Sequence, residues 1–218
     1  GFNIYTQKHK LLFDRAGKVN EAGLTLGIPR ALGIFENYPF WHALFTNCGI
    51  NVELSDASTM KLYETGIRTV MADNICFPAK LANGHILNLI EKKVDRIFMP
   101  YVVYENKEDV STVNSYNCPI VSAYSEVIRS AINPAENHGI PFDSPTFTFK
   151  DKDLMKKGCI EYIQSLPLKR KFKKGEIVKA FDEAIAAQKR YEDSLSDKCN
   201  EVFINAISSG RNLVLLAG

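Results

Sequence analysis

Apolar residues fall along the first two thirds of the chain in two alternating rhythms. "LTLGIPR" (24–30) is a short apolar run closed by proline, the pattern of a buried strand. In "ENYPFWHALFTNCG" (36–49), Phe40, Leu44 and Cys48 recur every four residues, with Trp41 and Phe45 beside them, which predicts a helix ended by Gly49. "INVELS" (50–55) predicts a second strand, and "DASTMKLYETGI" (56–67) offers capping residues and then a helix. Residues 77–93 keep helical period, with Leu81, His85, Ile86, Leu89 and Ile90 on one side. "DRIFMPYVVY" (95–104), "CPIVSAY" (118–124) and "PTFTF" (145–149) read as strands, and "SEVIRSAI" (125–132) as a helix begun by Ser125. This alternation predicts an α/β domain over 23–150, a Rossmann-like open and mostly parallel sheet with flanking helices.

The last third differs. From 151 to 210 the pattern is helical throughout, and Ile177, Phe181, Ile185, Leu195, Cys199, Val202 and Ala206 form a long stripe. A helix over 175–209 is long against the usual three or four turns, so it is expected to be a strut between two lobes. Residues 1–22 are polar and mixed, which predicts an extended arm. "RNLVLLAG" (211–218) reads as the first strand of a second lobe. With Gly1 standing in place of an initiator methionine, the expectation is a piece of a longer protein.

Charge and composition narrow the function classes. Lys and Arg number 27 against 25 Asp and Glu, so bulk charge points to neither nucleic acid nor membrane surfaces. The basic run "LKRKFKKGE" (168–176) is expected to be a solvated linker. No apolar run approaches a membrane span. Five scattered cysteines predict a reducing, cytoplasmic setting rather than a disulfide framework.

The candidate chemistry lies in those cysteines. Cys48, Cys159 and Cys199 occupy apolar positions of predicted helices and are expected in the core. Cys76 precedes a helix with Pro78 near its first turn, where the helix N-terminus favours thiolate; Cys118 opens a predicted strand, also before a proline. Packing, metal or cluster ligation, and nucleophilic chemistry all remain open for this pair. Arg30, after the first strand, can face an anion at the carboxyl edge of the sheet. Lys80 is one turn into the helix after Cys76. His85, on the apolar side of that helix, is expected to be a buried, hydrogen-bonded histidine. Glu36 and Glu105 flank predicted element ends without pairing as catalytic carboxylates. There is no G-x-G-x-x-G, Walker A loop or H-E-x-x-H.

Three ordered motifs, "GIPRALGIFENYPFW", "CFPAKLANGHI" and "NCPIVSAYSEVI", resemble the activator family of 2-hydroxyacyl-CoA dehydratases, long bacterial proteins called CoA-substrate-specific enzyme activases. The resemblance covers 22–132 and, weakly, the closing "LVLLAG". It falls on the region of those proteins that looks like a dehydratase component, not on their ATP-binding part. It implies a two-lobed Rossmann-like unit in which three cysteines hold a [4Fe–4S] cluster, with Cys76 and Cys118 as ligands. In the family the residue after the proline of "FMPYVVYE" is often a cysteine; here it is Tyr101, a poor donor to an iron–sulfur centre. Arg30, Lys80, His85 and Tyr101 would line the cleft. The implied role is an electron relay or docking lobe serving the other domains of the activator and a 2-hydroxyacyl-CoA dehydratase, with the cluster expected in the intact protein and absent from this stretch alone. The rivals are a scaffold module without a cluster and a thiol-nucleophile enzyme using Cys76, with His85 as the nearby base.

Overall fold

The computed structural model describes residues 3–15, 21–107 and 111–214. A four-stranded sheet lies at its centre. β1 (Thr25–Ile28), β2 (Asn51–Leu54), β3 (Arg96–Phe98) and β5 (Phe142–Asp143) run parallel in the order β2-β1-β3-β5. Leu26 is paired with Val52 on one side and Arg96 on the other, which fixes the register at the sheet centre. Parallel strands need helical crossovers. α2 (Ile34–Asn47) joins β1 to β2, and α4 (Phe77–Glu91) leads into β3. The strand order reverses at β1, so right-handed crossovers put these two helices on opposite faces. The contacts agree: α1 (Ile4–Phe13) and α8 (Lys174–Ser208) pack with α2, and α7 (Lys152–Ser165) packs with α8. α3 (Met60–Gly66) and α5 (Pro119–Ala131) pack with α4. The expected Rossmann-like, mostly parallel α/β architecture is the one observed.

Three local expectations fail for identifiable reasons. "CPIVSAY" is not a strand but the start of α5, because Pro119 stands in the first turn, where its missing N–H has no role. Tyr124, Ser125 and Ile128 then give that helix its buried side. The expected strand 95–104 is broken. Met99 and Pro100 separate β3 from β4 (Tyr101–Tyr104), and Ser144 and Pro145 separate β5 from β6 (Thr146–Thr148) at the same level. The pairing carries across the break, with Met99 N bonded to the Asp143 carbonyl and Tyr101 N to the Pro145 carbonyl, both at 2.9 Å. One strand pair thus bends at two prolines, and β4-β6 becomes a second, parallel sheet. The arm is not extended over 4–13 but forms α1, capped by Asn3 and anchored by Phe13 against Phe35 and Tyr38. Of the expected strand over 211–218, residues 211–214 are exposed and without strand pairing, and 215–218 lie outside the described residues, as do 1, 2 and 16–20 of the arm.

The core is aromatic. Trp41 packs on Phe40, Phe45, Phe98, Phe147 and Phe149, and Phe181 of α8 reaches Phe40. α8 is therefore covered by the rest of the domain over its first half only. Ile177, Ala180, Phe181, Ala184, Ala187 and Tyr191 bury its first half, whereas from Glu192 onward the described helix is mostly exposed. Cys199 lies on that exposed half rather than in the core, while Cys48 and Cys159 are buried as expected. The basic run is largely exposed, but Leu168 is buried and Lys169 N bonds to the Ala22 carbonyl.

Candidate functional site at the carboxyl edge

α4 delivers the chain to the amino end of β3, and α5, through α6 (Pro134–His138), delivers it to the amino end of β5. At about 1.5 Å per residue, the other ends of both helices lie toward the carboxyl edge of the sheet, where open α/β sheets bind ligands. Those ends are capped by Cys76 and Cys118. Both thiols are exposed. Neither caps by a side-chain hydrogen bond, and each helix carries a proline in its first turn. α4 and α5 pack side by side, and the Tyr124 hydroxyl donates to Asn83 Oδ1 at 2.9 Å across the contact. Burial, with the nearby Cys76 charge second, pushes the Tyr124 phenol up to about 12. Cys76 thus stands within electrostatic reach of the helix that Cys118 begins.

Behind Cys118 the loop is latched. Asn117 Nδ2 donates to the Val102 carbonyl and to Glu105, whose carboxyl also accepts from Asn37 Nδ2. Burial raises the pKa of Glu105 while the two amides oppose it. This carboxyl is a structural tie between β4 and α2, in keeping with its unpaired place in the sequence.

The other half of the edge is a groove of about 310 Å³ lined by Arg30, Leu32, Glu36, Ser58, Pro78 and Leu81, among others. Leu32 holds a left-handed backbone at φ 55, a strained conformation for a side chain of this size. Arg30 lies over the Phe13 ring at 4.7 Å from its centroid. Its Nε is buried without a hydrogen-bond partner, and among the described residues the guanidinium makes no ion pair. Burial lowers its basicity, with Tyr38 and Asp56 opposing.

Beneath the groove lies a hydrogen-bond relay that the sequence did not announce. His85 is fully buried; its Nδ1 is 2.8 Å from Ser55 Oγ and its Nε2 3.0 Å from Ser58 Oγ. Burial first, and the Arg30 charge second, push the imidazole down to about 4, so it is neutral at physiological pH. Ser55 Oγ accepts the Arg30 backbone N–H at 2.8 Å. The one hydrogen of this buried hydroxyl then goes to His85 Nδ1, since otherwise it would be buried unpaired. That fixes the Nε2–H tautomer, which donates to Ser58 and leaves the Ser58 hydrogen free. The available signal was "SDAS" (55–58), polar residues crowded directly after a strand.

The expected residues therefore divide. Arg30 and His85 meet through Ser55. Lys80 turns aside to the Asp73 carbonyl at 2.7 Å. Tyr101 opens β4, half-buried, with its phenol raised mainly by burial and Glu126 of α5 among the groups acting on it. Among the described residues no three His, Cys, Asp or Glu side chains gather as a metal site. The donor chemistry of Cys76 and Cys118 suits a thiophilic centre, but as two ligands of a larger set. No described helix is long and apolar enough to cross a membrane.

A family model described as "CoA enzyme activase uncharacterised domain" matches residues 25–218. No curated protein and no solved structure matches the chain.

Proposed function

We infer the function from the premise this match establishes: the chain belongs to the CoA enzyme activase uncharacterised domain family. Within that family we propose that it is the dehydratase-component-like part of an activator of 2-hydroxyacyl-CoA dehydratases, working in the cytoplasm as an electron relay. The supporting observation is the pair of exposed cysteines, Cys76 and Cys118, capping two packed helices at one edge of the sheet. Together they would contribute two sulfur ligands to a [4Fe–4S] cluster completed from outside the described residues. When bound, such a cluster supplies a one-electron carrier. This chain's part is to hold the two sulfurs on rigid helix starts, with α4 fixed to α5 through Tyr124 and Asn83 and the Cys118 loop tied down through Glu105.

A docking or scaffold role without a cluster is the second reading, and Tyr101 favours it, since a phenol stands where the family often has a thiol. The thiol-nucleophile reading has less support, because both ring nitrogens of His85 are engaged by serines. Iron and acid-labile sulfide, measured on anaerobically prepared full-length protein and on its Cys76→Ala and Cys118→Ala variants, separate the first two. The relay predicts metal in the parent and loss in both variants. Equal iron in all three, or none in any, leaves the docking reading.

A further inference from the structure

The groove beside Arg30 has no part in cluster ligation, yet its charges are arranged for a ligand. Its acidic neighbours each have an ion-pair partner within the protein. Glu36 is paired with Lys8 at 2.5 Å and accepts the Tyr191 hydroxyl, and Asp56 is held by Lys92 at 2.9 Å and by Asn88. Lys92 also serves Glu53, and Arg30 is the groove's cation that makes no ion pair among the described residues. Phe13 occupies the face of its guanidinium, so the in-plane N–H groups remain for hydrogen bonding. Ser58, supplied by the His85 relay with a donor from behind, has its own hydrogen to give toward the same groove. A fixed guanidinium and a hydroxyl donor lining a common groove, with room for a small molecule, match an oxyanion.

We propose that this groove is a phosphate-binding site, taking the phosphoryl group of a small ligand through the Arg30 guanidinium and the Ser58 hydroxyl. Ser55 and His85 are positioning residues: they set which way the Ser58 hydrogen points. The ligand is either free phosphate or a phosphate ester, and the two are told apart by experiment.

Inorganic phosphate, coenzyme A and phosphate-free pantetheine are titrated by calorimetry into the full chain and into Arg30→Gln, Arg30→Lys and Ser58→Ala. Saturable binding of phosphate, weakened about tenfold or more in Arg30→Gln, less in Arg30→Lys, and measurably in Ser58→Ala, is the expected result. Coenzyme A binding with the same Arg30 dependence, without free phosphate, identifies an ester as the ligand. Binding of neither, pantetheine binding as well as coenzyme A, or equal affinity in Arg30→Gln overturns the proposal. Should Arg30→Gln fail to fold, Ser58→Ala, whose side chain is exposed, decides alone, and unchanged affinity there is fatal. Cys76→Ala is expected to leave phosphate binding intact, so failure of the relay and failure of this site read out separately.

Discussion

Cys48 and Cys159 sit in the aromatic interior, while Cys76 and Cys118 sit at the carboxyl edge, and the same side chain does opposite things in the two places. Burial pushes the Cys48 thiol up to about 12 and raises Cys159 further, so both behave as small apolar fillers. The edge pair is exposed and mounted on helix caps. The interior is built from redundant apolar contacts. The edge is built from single polar ties, such as Glu105 to Asn117 and Ser55 to His85, each of which holds one group in one place.

The largest effect is expected in the interior. Trp41→Ala removes the ring at the centre of the aromatic cluster and should cost about 3–5 kcal/mol in denaturant unfolding, enough to threaten the fold. Next comes the relay beneath the edge. The unfolded chain takes up a proton on His85 near pH 6.5 and the folded chain only near 4, so below 6.5 the unfolded state binds more protons. Stability is therefore full above about pH 6.5 and is lost as pH falls toward 4, by up to about 3 kcal/mol for this group. Urea melts across that window check it, and His85→Gln should remove about half of the histidine slope, since His42, also lowered to about 4, contributes a like share. Gly84→Ala should cost about 1–3 kcal/mol, because its new Cβ would meet the Leu62 carbonyl oxygen at 2.2 Å where α3 crosses α4. Thermal unfolding of this variant measures how closely α4, and Cys76 with it, must lie on α3. Cys199→Ser, on the exposed half of α8, should change stability by no more than about 0.5 kcal/mol.

The contrast between interior and edge also explains what the sequence could disclose. Period alone found Cys48 and Cys159, because core positions repeat with the helix. It misplaced Cys199, because the apolar stripe of α8 continues beyond the point where the rest of the domain covers it. Phe203, Ile204 and Ile207 are exposed there at 56–64%. Cys118 reads as the start of a strand because "CPIVSAY" satisfies both strand and helix patterns, and only Pro119 in the first turn decides between them. The prolines at 100 and 145 were visible, but that they bend two paired strands together depends on a register no single stretch contains. Arg30 and His85 were singled out separately. Their connection through Ser55 joins residues from three elements far apart in sequence, which local patterning cannot express.

The most direct test of the paired role of the edge cysteines is quantitative alkylation of all five thiols, read by mass spectrometry, on anaerobic full-length protein with its iron retained and again after chelation. Cys76 and Cys118 are expected to be protected together while iron is bound and released together when it is removed. Cys199 should react in both states, and Cys48 and Cys159 only after unfolding. Identical labelling of Cys76 and Cys118 with and without iron, or protection of one without the other, would contradict the account.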